Sequence, residues 1–163
     1  MMFGSKFVVL ILFAAIGPSH AGSLVLSDRG YGDVQFGAKL RDAEARMNQK
    51  AEPQKRDAGC SFVAFKRYPH ILFMVEQGVV TRADAKPKIR NSAGVRVGTS
   101  LDRVRSLHPG IRVEPHKYDY EGHYLVLPSS DERAALLFEE SKGRITAVRA
   151  GIKPSVEYVE GCS

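Results

Sequence analysis

Two histidines, three tyrosines, an aspartate and a glutamate fall between His116 and Tyr124, in the run HKYDYEGHY. Imidazole and carboxylate groups suit zinc, so His116 and His123 with Asp119 or Glu121 form one candidate metal set, although their spacing matches no established ligand pattern. The same residues also suit a contact surface, because tyrosine gives rigid amphipathic area and aromatic side chains are enriched at interfaces. Tyr118, Tyr120 and Tyr124 alternate, which places them on one side of an extended segment. With His123 they make the candidate binding surface. The competing reading puts that side in the core, each hydroxyl bonded locally. The flanking Lys117, Asp119 and Glu121 favour exposure. The stretch is therefore read as a contact surface, with no metal and no cofactor expected.

Other chemistry is sparse. Ser100, Ser129 and Ser130 are present with several histidines, but no Gly-x-Ser-x-Gly elbow exists, and Ser129-Ser130 after Pro128 reads as a turn. Gly94 and Gly98 are too sparse for a phosphate-binding loop. No catalytic residue is assigned, and the chain is not expected to be an enzyme. The two cysteines, Cys60 and Cys162, have no neighbouring histidine to activate them.

Compartment explains the cysteines better. Residues 1–21 open with Lys6, continue through the apolar run FVVLILFAAI and end in GPSHA. Such a run is too short to span a bilayer, and Ser19 and Ala21 suit a cut before Gly22. It reads as a secretory signal peptide, which leaves no stable membrane span and a periplasmic or secreted protein. In an oxidising compartment two thiols pair, so a Cys60–Cys162 disulfide is expected. The sequence holds 24 Lys and Arg against 18 Asp and Glu. These charges interleave along the chain, whereas a nucleic-acid footprint needs the positive ones clustered, so no nucleic-acid partner is expected.

The elements that must position these groups occur in two similar stretches. DVQFGAKLRDAEARM, from Asp33, stands against GVRVGTSLDRVRSLHP, from Gly94. In each, two alternating apolar residues precede a glycine, and apolar residues three or four apart follow. The pattern predicts a short strand (Val34 and Phe36; Val95 and Val97), a bend at Gly37 or Gly98, and a helix. Thr99 and Asp102 have the spacing of a capping box. The charged stretch from Gln49 to Gly59 reads as a loop. Strands are predicted over 61–66, 71–76 and 79–83 in the first half, and over 123–127, 134–139 and 144–149 in the second. The hairpins ILFMVEQGVV and LLFEESKGRI also match, which favours an internal repeat.

A short strand, a glycine, a polar pair, a helix and a three-stranded meander, given twice, resemble the β-lactamase inhibitor protein and the small outer-membrane assembly lipoproteins of the BamE/SmpA type. In those families the bend reads Gly-Met-Thr or Gly-Met-Ser. Here it is Gly37-Ala38-Lys39 and Gly98-Thr99-Ser100. The chain also resembles exported bacterial proteins that end in Glu-Gly-Cys, here Glu160-Gly161-Cys162. The expected fold is α+β: two repeated helix–three-strand units, over about 31–85 and 92–150, forming one antiparallel sheet with helices on one face. Residues 22–163 would be one domain that ends in a strap, 151–163. The resemblance implies that fold and carries over no inhibitory target. The leading expectation is a non-catalytic protein-binding protein of the periplasm, an inhibitor or an envelope assembly factor, whose partner is another envelope or exported protein met through the open sheet face. The alternatives are a small-molecule or metal-binding protein or enzyme, and a structural envelope factor.

Overall fold

The computed structural model describes residues 24–57 and 59–162. The signal peptide read over 1–21 lies outside them.

Contiguous apolar runs with strong turn signals make the centre of the fold. β5 (Ile71–Glu76) and β6 (Val79–Ala85) are joined by Gln77-Gly78. β9 (Ala134–Ser141) and β10 (Arg144–Ile152) are joined by Lys142-Gly143. All four turn residues have positive φ, the condition for the tight primed turns that match strand twist. β10 and β6 pair antiparallel from Val148–Ala85 to Gly151–Arg82, which joins the two hairpins into one sheet.

Outer strands extend it. β4 (Cys60–Ala64) and β3 (Glu52–Asp57) add to one side, β8 (His123–Pro128) and β7 (Arg112–Pro115) to the other. The order is β3-β4-β5-β6-β10-β9-β8-β7, with every neighbouring pair antiparallel. A separate two-stranded ribbon, β1 (Gly30–Tyr31) and β2 (Val34–Gln35), precedes the first helix.

The helices are short. α1 spans Leu40–Met47 and stops at Asn48, whose left-handed backbone closes it. α2 spans Leu101–Leu107, and its first turn is capped by the Ser100 hydroxyl, which accepts from the Arg103 N–H at 3.3 Å. Thr99 does not cap: its hydroxyl accepts from the Arg96 N–H. Each bend docks its helix on a hairpin. The Gly37 N–H donates to Val80 O and the Gly98 N–H to Ile145 O, at 2.8 and 2.7 Å. Ala43, Met47 and Val104 then pack with Phe73, Ala83, Leu125, Phe138 and Ala150 in one core on this face of the sheet.

The fold therefore corrects the α+β expectation of two repeated helix–three-strand units. Among the described residues it is mostly β, one eight-stranded sheet with two short helices. Glu52–Asp57, read as a loop, is an edge strand, and so is Arg112–Pro115. Val95 and Val97 form no strand, while Val34 keeps only the two-residue β2. Edge strands pair on one side only, so burial imposes little alternation on their sequence.

Candidate functional site

The sheet's second face carries charge inside apolar strands. Strand alternation puts Arg82 and Asp84 of β6, Arg149 of β10, Glu139 of β9 and Tyr124 of β8 on this side. Both arginine side chains are only 6% exposed, and buried charges persist only when partnered. Arg82 forks onto Asp84 at 2.7 and 3.1 Å, and Arg149 Nη1 donates to Glu139. Burial and the neighbouring Arg82 charge lower the Arg149 pKa, which Glu139 and Asp84 oppose.

Each arginine also holds the chain that crosses above it. After β10 a single 3-10 turn, Ser155–Glu157, places the fully buried Val156 on Tyr124, Val126, Ala135 and Leu137. Arg149 Nε donates to Val156 O at 2.8 Å, and Arg82 Nη1 to Tyr158 O at 2.6 Å. The segment ends at Cys162, bonded to Cys60 of β4 as expected. The strap thus covers much of the face that the helices leave free.

Beside it lies the loop from β7 to β8, built around His116. His116 Nδ1 accepts the N–H groups of Tyr118 and Asp119 at 3.2 and 3.1 Å, so the ring proton sits on Nε2. The ring stacks on Tyr124, 4.4 Å between centroids, and Arg149 lies over the same tyrosine. Asp119 accepts the Ser141 hydroxyl and the Glu121 N–H, which hold its carboxyl below the ordinary range. His123 turns away: its Nδ1 meets Glu140, whose side chain is 1% exposed, at 2.7 Å. Tyr124 and Glu139 share the strap face, so their neighbours His123 and Glu140 point to the other. His116 and His123 are therefore not brought together with Asp119 or Glu121, and among the described residues no cluster suits a metal ion.

The tyrosines divide. Tyr124 is buried beneath Val156 of the strap, and because the loop before it turns instead of running extended, the expected alternation does not hold. Burial also raises its pKa. Tyr118 is 63% exposed and Tyr120 fully so. The Tyr118 hydroxyl donates to Glu160 of the strap, and Lys117 Nζ meets the same carboxylate at 3.2 Å. Both contacts hold the Glu160 carboxyl below its usual range. Lys117, Tyr158 and Glu160 line an open pocket of about 480 Å³ beside the disulfide. Tyr158, 40% exposed, thus takes the place that the sequence reading gave Tyr124. Sequence reasoning missed Tyr158, Glu160 and the arginine pair. The available signal was an arginine inside an apolar strand, in VVTRA and ITAVRA. Ser100 and Ser129 serve as helix cap and turn, the latter donating to Asp131 at 2.7 Å.

No protein-family profile matches the sequence, and no curated protein does either. Two solved structures share the fold. One is an extracellular protein containing a SCP domain from Bacillus anthracis, with a TM-score of 0.51 at 10% identity, over 90% of this chain and 50% of that one. The other is a cysteine-rich secretory protein from Staphylococcus aureus, with a TM-score of 0.50 at 12% identity, over 78% of this chain and 48% of that one. The chain spans about half the length of either. These neighbours replace the β-lactamase inhibitor and BamE/SmpA resemblance, which rested on the bends and the repeat pattern. The intramolecular disulfide agrees with an exported protein.

Proposed function

We propose that the chain is an exported, non-catalytic protein-binding protein of the periplasm or cell exterior, which engages another envelope or exported protein. The contact surface is the rim where the loop meets the strap: Tyr118, Tyr120 and Tyr158. One observation carries this reading. Three of the five large hydrophobic side chains exposed among the described residues are these tyrosines, on two segments braced by Glu160 and the disulfide. Amphipathic rings on a pre-organised backbone lose little entropy when a partner covers them. Beneath the rim, Arg82 and Arg149 are bonded to Asp84, Glu139 and the strap carbonyls, which fixes the strap in place.

The test places a photo-crosslinking residue at position 120 or 158, with Leu107 of α2, also partly exposed, as the control site. The mature protein is exposed to its own envelope in the cell. A protein adduct formed from 120 and 158, absent from 107, and lost when Tyr118→Ala accompanies the crosslinker in a chain of unchanged melting temperature is the expected result. Identical adducts from all three sites, or none, would defeat the proposal.

A further inference from the structure

A second concave region lies far from this rim in the sequence. Between the β1–β2 ribbon, α1 and the β4–β5 connection is a pocket of about 620 Å³, within the range of small-molecule sites. Its walls differ in chemistry. Leu24, exposed over more than half its area, and the half-buried Ile89 supply most of the apolar surface, with the buried Tyr31 and Ile71 also lining it. Arg46 and Arg67 supply the charge.

Asp33 fixes both guanidinium groups. Its main-chain carbonyl accepts from Arg46 Nε and Nη2 at 3.1 and 3.0 Å, and its carboxylate accepts from Arg67 Nη1 at 3.1 Å. The same carboxylate takes the Tyr68 hydroxyl at 2.8 Å, and that hydroxyl in turn accepts the Asp33 N–H. Tyr68 is itself wedged edge-on against Tyr31, with 5.2 Å between ring centroids. The backbone is equally constrained, because a side chain at Gly32, where φ is +57°, would strike the Tyr68 ring. Arg46 Nη1 and the Nε and Nη2 groups of Arg67 make no bond within the described protein. Among the lining residues, two arginines against one aspartate leave one positive charge, and His70 adds a ring nitrogen that can take part in a hydrogen bond.

We propose that this pocket binds an amphipathic monocarboxylate, its head on the unused guanidinium edges of Arg46 and Arg67 and its chain or ring along Leu24, Tyr31, Ile71 and Ile89. One residual charge matches one carboxylate, and arginine's planar fork suits that group. The apolar wall suits a body of about a dozen heavy atoms. The site is separate from the loop–strap rim and does not depend on the function assigned to it.

Decanoate, butyrate and decylammonium are the probes, titrated calorimetrically into the mature oxidised protein at neutral pH, with amide shifts at Tyr68, Ile71 and Ile89 locating the contact. Butyrate keeps the charge without the body, and decylammonium keeps the body with the opposite charge. Decanoate is expected to bind saturably and at least about tenfold more tightly than either: over decylammonium because a hydrogen bond to a charged group is worth that much, and over butyrate because the added buried methylenes are worth at least as much. Arg46→Gln with Arg67→Gln should weaken decanoate about tenfold or more, and Ile89→Glu, which leaves the arginines in place, should do the same from the apolar end. Failure of decanoate to saturate, equal affinity for all three probes, or shifts confined to other residues would overturn the proposal, whether or not the arginine variant folds.

Discussion

Replacing both Cys60 and Cys162 with serine separates what the disulfide holds from what the strap holds for itself. The bond spans a sequence separation of 102 residues, for which unfolded-chain entropy gives a stabilisation of about 4.7 kcal/mol. Against a typical domain stability of roughly 5–15 kcal/mol, that is a large share. The local effect divides at Tyr158. Up to that residue, the strap has a fully buried Val156, worth roughly 1.5–3 kcal/mol. It also has the two arginine–carbonyl bonds, at roughly 1.5–3 kcal/mol each. Ordering four residues costs about 4–8 kcal/mol at one to two per residue, so this part stays near balance and docked. Beyond Tyr158, Val159 packs only in part against the same cluster and the Glu160 contacts are exposed, so without the bond the ordering cost of 159–162 outweighs what they contribute. In urea titrations the variant should lose up to about 4–5 kcal/mol. In backbone amide relaxation, 159–162 should become mobile on the fast timescale while 155–158 keep their order. Unchanged order through Cys60→Ser and Cys162→Ser, or mobility running back past Val156, would refute this division.

Asp131 accepts from the Ser129 hydroxyl and from Arg133, which hold its carboxyl down to about 2. Because the folded value is depressed, its contribution is complete above the unfolded carboxylate range and fades as pH falls toward 2. A carboxyl carbon titration should show that midpoint and return it to the ordinary range in Ser129→Ala with Arg133→Gln. The buried Asn91 side chain donates to Val95 O and accepts the Val95 N–H, so Asn91→Ala strands both groups and should cost roughly 1–3 kcal/mol for each in chemical denaturation. Gly151→Ala would drive a methyl into the Thr81 carbonyl and the Arg82 backbone at the β6–β10 seam. Overpacking of that kind should lower stability by about 1–3 kcal/mol or more, read as a drop in melting temperature.

Elements under strong local rules were legible. Gln77-Gly78 and Lys142-Gly143 between apolar runs announce tight hairpins, and those hairpins are the sheet's centre. The disulfide followed from compartment and thiol count. Where local pattern and tertiary pairing part company, the sequence misled. EPQKRD has the composition of a loop, and only pairing with β4 makes it a strand. VRV alternates like a strand but sits beside Asn91, whose side chain takes the Val95 backbone groups a ladder would have used. At the candidate rim, counting tyrosines found Tyr118 and Tyr120. The exposure of Tyr158 and the burial of Tyr124 depend on where the strap crosses, which no short window of sequence encodes.

An open sheet has two outer strands with unpaired backbone groups, and here they are β3 and β7. β3 carries Glu52, Pro53, Lys55, Arg56 and Asp57, while β7 carries Arg112 and Glu114 and closes on Pro115. Proline withholds a donor from any incoming strand, and a charged edge residue such as Glu52 or Glu114 loses its water when another strand covers it. These borders oppose end-to-end stacking of sheets into fibrils. The eight-stranded platform can then persist at high concentration outside the cytoplasm, and substituting Pro115 and Glu114 with valine would turn its shorter border into a site for self-polymerisation.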